Sequence, residues 1–167
     1  MKNRSINKAI DGATRIGHVH LKVSNLERAV EFYTEMLGFN VTARMGNSAA
    51  FLSAGGYHHH IGLNTWDSAG GSQPAKGTTG LYHFAILAPN RQELARAVER
   101  LKDHDWPIDG AADHGVSEAI YLRDPDGNGI EIYVDRPQSQ WPRDAQGNYA
   151  MVNLPLDIES LMSELTG

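Results

Sequence analysis

Histidine carries most of the chemistry available to this chain. Its 167 residues include eight histidines and no cysteine. Thiolate nucleophiles, thiolate zinc sites and disulfides are therefore excluded together, and any metal must be held by His, Asp, Glu and water. Three of the histidines are adjacent, His58, His59 and His60 in "GYHHHIGLNTW". In a regular strand neighbours alternate faces, so His58 and His60 would share one side and His59 take the other. Two more, His18 in "RIGHVHLKV" and His83 in "LYHFAIL", interrupt alternating strand patterns 65 positions apart. Glu131 interrupts Ile130, Ile132 and Val134 in "GIEIYVD", which points its carboxylate away from the apolar face. Burying an unpaired carboxylate is costly, and a metal offsets that cost. Two histidines and one carboxylate form the facial set that leaves positions open on a non-haem Fe(II) centre. Taken singly, each of the three reads equally well as a hydrogen-bonded strand residue.

The elements that must position these residues occur twice. The first strand alternates Val19, Leu21 and Val23 against His18, His20 and Lys22. A helix follows, with Asn25 as N-cap, Leu26, Val30, Tyr33 and Leu37 at helical spacing, and Gly38 as its stop. Short strands are expected in "FNVTARMG", "SAAFLSAG" and "HHHIGLNTW". Beyond a Gly- and Ser-rich stretch, "LYHFAIL" reads as a strand and "APNRQELARAVERLKDHDWP" as a helix capped by Asn90. "SEAIYLRD" and "GIEIYV" follow as strands around the turn "PDGN". Asn25 and Asn90 repeat the 65-residue offset of His18 and His83. The expected organisation is an arm over 1–14, a domain over 15–136 and a tail over 137–167. The domain divides into module one at 15–66, a linker at 67–80 and module two at 81–136. In the tail, Leu156, Ile158, Leu161, Met162 and Leu165 predict a short amphipathic helix.

Composition narrows the partners. A formal charge of −5 without a basic stripe argues against nucleic acid. No apolar run approaches the ~20 residues that span a bilayer, and the N-terminus lacks a signal-like stretch, so a cytoplasmic location is expected. The tail and exposed sheet edges suit packing on a second copy, which makes a homodimer the expected partner.

Three segments together resemble the vicinal oxygen chelate superfamily, which contains glyoxalase I, bleomycin and fosfomycin resistance proteins, and extradiol dioxygenases. They are "IGHVHLKVSNLERAVEFYTEMLGF", "LYHFAIL" and "YLRDPDGNGIEIYVDRP". The resemblance implies an α+β fold of two βαβββ modules forming a cup-shaped mixed sheet around a divalent metal. Finer features are similar to catechol 2,3-dioxygenase-type members. By that resemblance His18, His83 and Glu131 are metal ligands, for Fe(II) or Mn(II), and the substrates are a catechol-type aromatic and O₂. Tyr121, ten residues before Glu131, and His114 in "DHGVSEAIY" match residues that contact substrate oxygens. His59 is the nearest match to the family's acid/base histidine, which requires a bulge or a strand that begins late.

Two other readings stay open. Laying "YHHHIGL" on "NGIEIYV" puts His60 opposite Glu131, the place of a fourth ligand in glyoxalase-type lyases and isomerases, which use Zn(II), Ni(II) or Co(II). A non-catalytic protein that sequesters a small aromatic or an antibiotic, as resistance members do, needs the cup but no metal.

Overall fold

The computed structural model describes residues 9–166. Module one runs β1 (Val19–Lys22), α1 (Leu26–Glu31), β2 (Asn40–Met45), β3 (Ala49–Ser53) and β4 (Ile61–Asn64). Module two repeats the order as β5 (Phe84–Leu87), α2 (Arg91–Asp103), β6 (Ile108–Asp113), β7 (Ser117–Arg123) and β8 (Gly129–Asp135). The tail adds β9 (Leu154–Pro155) and α3 (Ile158–Ser163). The strands form two separate sheets, ordered β1-β4-β3-β2 and β5-β8-β7-β6-β9. In each, the first strand runs parallel to the last of its module and the others are antiparallel. The α+β class and the doubled βαβββ order agree with the sequence. No ladder joins the two sheets among the described residues.

Local signals start and stop the helices as expected. Asn25 Oδ1 accepts from Arg28 N and Asn90 Oδ1 from Glu93 N, each satisfying a donor that the first helical turn leaves free. After Glu31 the first helix widens into a π-helical turn over Phe32–Met36, and Gly38 closes it with φ +79°. A left-handed residue there suits glycine, which has no Cβ to clash.

One core serves both modules. Leu21, Val23, Phe32, Tyr33 and Leu52 of the first are buried with Leu94, Leu101, Ile120 and Ile130 of the second. Each large aliphatic removed from water contributes roughly 1.5–3 kcal/mol, so the shared core fixes how the modules sit. Phe32 also packs on Trp106 across the junction, ring centroids 4.8 Å apart. Polar contacts direct the same packing: Tyr33 OH donates to Asp124 Oδ2 at 3.0 Å, and Ser24 Oγ donates to Asp126 Oδ1 at 2.6 Å.

The tail helix forms where the sequence places it, with Asp157 as N-cap and Leu161 fully buried. The two-residue strand β9 is new; it extends the second sheet by pairing with β6. Strand β6, which the doubled βαβββ order requires, forms in "IDGAAD", a segment with no strong alternation. Residues 1–8 of the expected arm lie outside the described residues. No helix among the described residues is long and apolar enough to cross a membrane.

Candidate metal and substrate site

The three adjacent histidines are not in a regular strand. β4 begins only at Ile61, and His58, His59 and His60 occupy the turn before it. Backbone bonds fix that start: His60 N donates to Leu52 O and Val19 N donates to His60 O. The expected sharing of one strand face by His58 and His60 is therefore corrected, because the strand starts after them. His60 turns to its own loop, with Nδ1 3.0 Å from Ser53 Oγ and accepting from Ala54 N at 3.3 Å. Its ring also lies against Tyr57, centroids 4.9 Å apart. His59 stacks obliquely on His18, centroids 4.4 Å apart, and its Nδ1 lies 2.7 Å from that of His58. Removal of the His59 ring from water by its neighbours, and then the nearby rings of His18 and His58, push its pKa below the ordinary histidine value.

The module-two candidates form one continuous chain of contacts. His83 Nε2 lies 3.1 Å from Glu131 Oε2. Glu131 Oε1 accepts from Tyr121 OH at 2.8 Å, and the same hydroxyl lies 2.6 Å from His114 Nε2. The ladder explains the middle link: β7 and β8 pair Tyr121 with Glu131 directly, so both side chains leave the same face. Burial, and then the Glu131 carboxylate, raise the Tyr121 pKa well above the ordinary phenol value. The phenol therefore stays protonated at neutral pH and serves as a donor.

His114 is anchored by the tail. Its Nδ1 lies 2.9 Å from the carbonyl oxygen of Val152, and Val152 N donates to His114 O at 3.1 Å. A carbonyl only accepts, so Nδ1 carries a hydrogen there. Tyr121 has one hydroxyl hydrogen, which the Glu131 carboxylate takes. His114 Nε2, 2.6 Å away, faces the oxygen of that hydroxyl.

Asp113, beside His114, is fixed by Arg136 Nη2 at 2.6 Å and by Gly115 N. The Arg136 guanidinium holds its carboxyl below the usual carboxylate range. Sequence reasoning missed both the Val152 carbonyl and the Arg136–Asp113 brace. A backbone carbonyl leaves no mark in residue type, and only the prediction of a packed tail pointed towards it.

A hollow of about 250 Å³ lies beside this chain, lined by Tyr82, His83, Tyr121 and Gly129 among others. Gly129 is required there, since a Cβ would sit 2.1 Å from the Tyr82 carbonyl oxygen. The donor types suit a first-row transition-metal dication: an imidazole nitrogen and a carboxylate oxygen are paired and partly buried. The third expected ligand is elsewhere. His18 belongs to the histidine cluster of module one, and no group of three or more His, Cys, Asp or Glu among the described residues is arranged to hold a metal. One chain in this arrangement supplies two of the three expected donors, so the complete set does not fit within it.

Paired βαβββ modules with imidazole and carboxylate donors on an open sheet face define a class of metal-site scaffold. Residues 15–132 match the model of the Glyoxalase/Bleomycin resistance protein/Dioxygenase superfamily, and the chain belongs to that superfamily. It is 48% identical over 151 residues to a Catechol-2,3-dioxygenase of Bacillus subtilis (strain 168), covering 90% of this chain and 52% of that protein. It is 30% identical over 123 residues to Biphenyl-2,3-diol 1,2-dioxygenase 3 of Rhodococcus globerulus, covering 72% of this chain and 63% of that one. The chain thus spans about half the length of the first relative. The crystal structure of a glyoxalase/dioxygenase from Nostoc punctiforme superposes with a TM-score of 0.64 at 21% identity, over 80% of this chain and 100% of that one. At that identity the likeness shows the fold.

Proposed function

We propose that this protein is an extradiol ring-cleaving dioxygenase that acts on a catechol-type aromatic with O₂. The observation that carries the reading is Tyr121, bonded to Glu131 on one side and to His114 on the other. Similarity to proteins named for catechol and biphenyl-diol dioxygenation supports the same reading. The cofactor proposed is a divalent metal, Fe(II) first and Mn(II) second, with His18, His83 and Glu131 as its ligands.

Catechol and O₂ combine without a further reactant; a bound metal would supply the activation of O₂, and the protein's own groups orient the ring and move protons. Tyr121, whose one hydroxyl hydrogen goes to Glu131, offers its oxygen as the acceptor for a hydroxyl of the substrate. His114 supplies or withdraws the proton behind it, its ring held by the Val152 carbonyl. His59, with its lowered pKa, is neutral near pH 7 and suited to accept a catechol proton. Positioned acid–base groups of this kind contribute roughly 10²–10⁴-fold.

His60 separates this reading from a lyase or isomerase with four ligands. Its Nδ1 is engaged by Ser53 and Ala54 and its ring by Tyr57, a loop-supporting role. The test is oxygen uptake, with the yellow colour of a ring-fission product, after anaerobic loading with Fe(II) and addition of catechol, 3-methylcatechol or 2,3-dihydroxybiphenyl. Inertness towards all three, with metal bound, would sink the proposal.

A further inference from the structure

Three glycines lie within the strands, Gly62, Gly110 and Gly129, and the surroundings force two of them. At Gly62 a Cβ would lie 2.9 Å from the His20 ring, and at Gly129 2.1 Å from the Tyr82 carbonyl oxygen. At Gly110 a Cβ would meet no described heavy atom within 4 Å beyond its chain neighbours. The backbone there also stays out of the left-handed region. Neither packing nor φ calls for glycine at 110, although glycine weakens a strand interior. A strand glycine of that kind often marks a place where a ligand approaches the backbone.

Gly110 lies beside the Tyr121 end of the site. The ladder sets Gly110 directly opposite Tyr121, and Tyr121 directly opposite Glu131, so all three share one face of the sheet. Arg123, two residues along β7, leaves the same face and stands opposite Gly129. The side chains missing at Gly110 and Gly129 thus open the hollow of about 250 Å³ that both residues line. That is below the roughly 300–1,000 Å³ of sites for drug-sized ligands, and it suits one ring with a short side group, not a two-ring diol.

The rim of the hollow carries one ion pair. The register shift between Ile108 and Gly110 makes Asp109 an extra residue, and this bulge brings its carboxylate to 3.1 Å from Arg123 Nε. Arg123 Nη1 donates to the carbonyl oxygen of Gly127 as well. The two rim charges cancel. A carboxylate on the ring would meet Asp109 and an ammonium would meet Arg123, so neither finds a free counter-ion.

We infer that the hollow over Gly110 is the ring-substituent pocket of the substrate, selecting a monocyclic catechol that carries a short uncharged group. Gly110 sets the permitted size, and the Asp109–Arg123 pair sets the charge. The inference rests on the ring-cleavage reading for the catechol core, whose hydroxyl that reading sets against Tyr121.

The experiment compares Gly110→Ala, Gly110→Val and Asp109→Asn with the wild type by two readouts. Chains loaded anaerobically with Fe(II) are assayed for kcat/KM with catechol, 3-methylcatechol, 4-methylcatechol, 2,3-dihydroxybiphenyl and 3,4-dihydroxybenzoate. Binding of the same compounds is titrated with Zn(II)-loaded chains, whose redox-inert ion prevents turnover. The wild type should favour the better-used methylcatechol over 2,3-dihydroxybiphenyl by about tenfold or more. In Gly110→Val the ratio of that methylcatechol to catechol should fall by roughly tenfold, the discrimination one methylene gives in a pocket. Gly110→Ala should move it the same way by less, and the metal-free alanine variant should melt no lower than the wild type, since nothing crowds the new Cβ. Asp109→Asn should raise the ratio of 3,4-dihydroxybenzoate to catechol about two- to fivefold, the effect of releasing one exposed ion pair.

A Gly110→Val ratio within about twofold of the wild type overturns the size role. A wild type that takes 2,3-dihydroxybiphenyl as well as the methylcatechols does the same. A Gly110→Ala chain that melts early makes the glycine structural and overturns it too. An unmoved carboxylate ratio in Asp109→Asn overturns the charge role. Binding to Zn(II)-loaded chains with the expected ratios, but no cleavage with Fe(II), removes the dioxygenase reading and leaves the pocket standing. Neither binding nor cleavage of any of these compounds overturns both.

Discussion

The hydroxyl of Tyr121 donates to Glu131 Oε1 over 2.8 Å, and the ladder sets the two residues directly opposite each other on β7 and β8. The bond links a proposed metal ligand to the proposed acid–base side of the site. Tyr121→Phe removes the hydroxyl and keeps the ring. Turnover of catechol should fall by about 10²-fold or more, while metal content stays near the wild-type value. Stability should change by about 1 kcal/mol, the net worth of an ordinary hydrogen bond. Oxygen-uptake kinetics, elemental analysis and thermal melting check the three parts; a loss of metal equal to the loss of turnover would assign Tyr121 a structural role instead.

His60 is the residue that distinguishes three ligands from four. His60→Ala should leave metal affinity within about twofold of the wild type, because Ser53, Ala54 and Tyr57 hold its ring in its own loop. The cost appears in the loop, roughly 0.5–1.5 kcal/mol for the lost hydrogen bond. A tenfold or larger drop in metal affinity, measured by titration, would revive the four-ligand reading.

Arg91 and Arg136 share the buried Glu118. Arg91 Nε meets Glu118 Oε2 at 2.7 Å and Arg136 Nη2 meets Oε1 at 2.8 Å. Arg91 also reaches Ser160 O and Glu164 on α3, so one guanidinium ties the tail to the second sheet. Arg91→Ala leaves a carboxylate with one partner fewer in a nearly dry place. The expected loss is about 1–3 kcal/mol, less than for a fully buried pair because Arg91 is partly exposed to water. Denaturant unfolding measures it, and His114-dependent turnover should fall with it as the tail loosens.

Acid should weaken module one before the rest of the metal-free protein. The folded-state pKa of His59 lies below its ordinary value, so the unfolded chain binds more protons than the folded one between the two. The stability this contributes is present above the ordinary histidine pKa and is lost as pH falls through the lowered one. Melting temperature should therefore drop as pH falls through and below the ordinary histidine pKa of about 6.5, and His59→Gln should flatten part of that slope. An unchanged slope in the variant would show that His59 does not titrate with folding.

Much of the scaffold was legible because its determinants are local. Asn25 and Asn90 cap the helices that follow them, and alternation along "RIGHVHLKV" set His18 and His20 against Leu21 and Val23. Tyr121 was singled out by the resemblance, through its ten-residue spacing from Glu131; that spacing spans the "DPDGN" hairpin, which sets the two residues face to face.

What the tertiary structure alone decided is which faces meet. The 65-residue repeat marks His18 and His83 as equivalent, but equivalence does not put them together. His83 meets Glu131, whereas His18 stacks on His59. Likewise, His60 lost its expected strand face because β4 begins only at Ile61, after the turn that holds it. The Val152 carbonyl reached His114 through the pairing of β9 with β6 across about forty residues of chain. Periodicity and capping act over a few residues and so are written in the sequence. The choice of partner for each apolar face depends on burial summed over distant segments, and it exists only once the chain is folded.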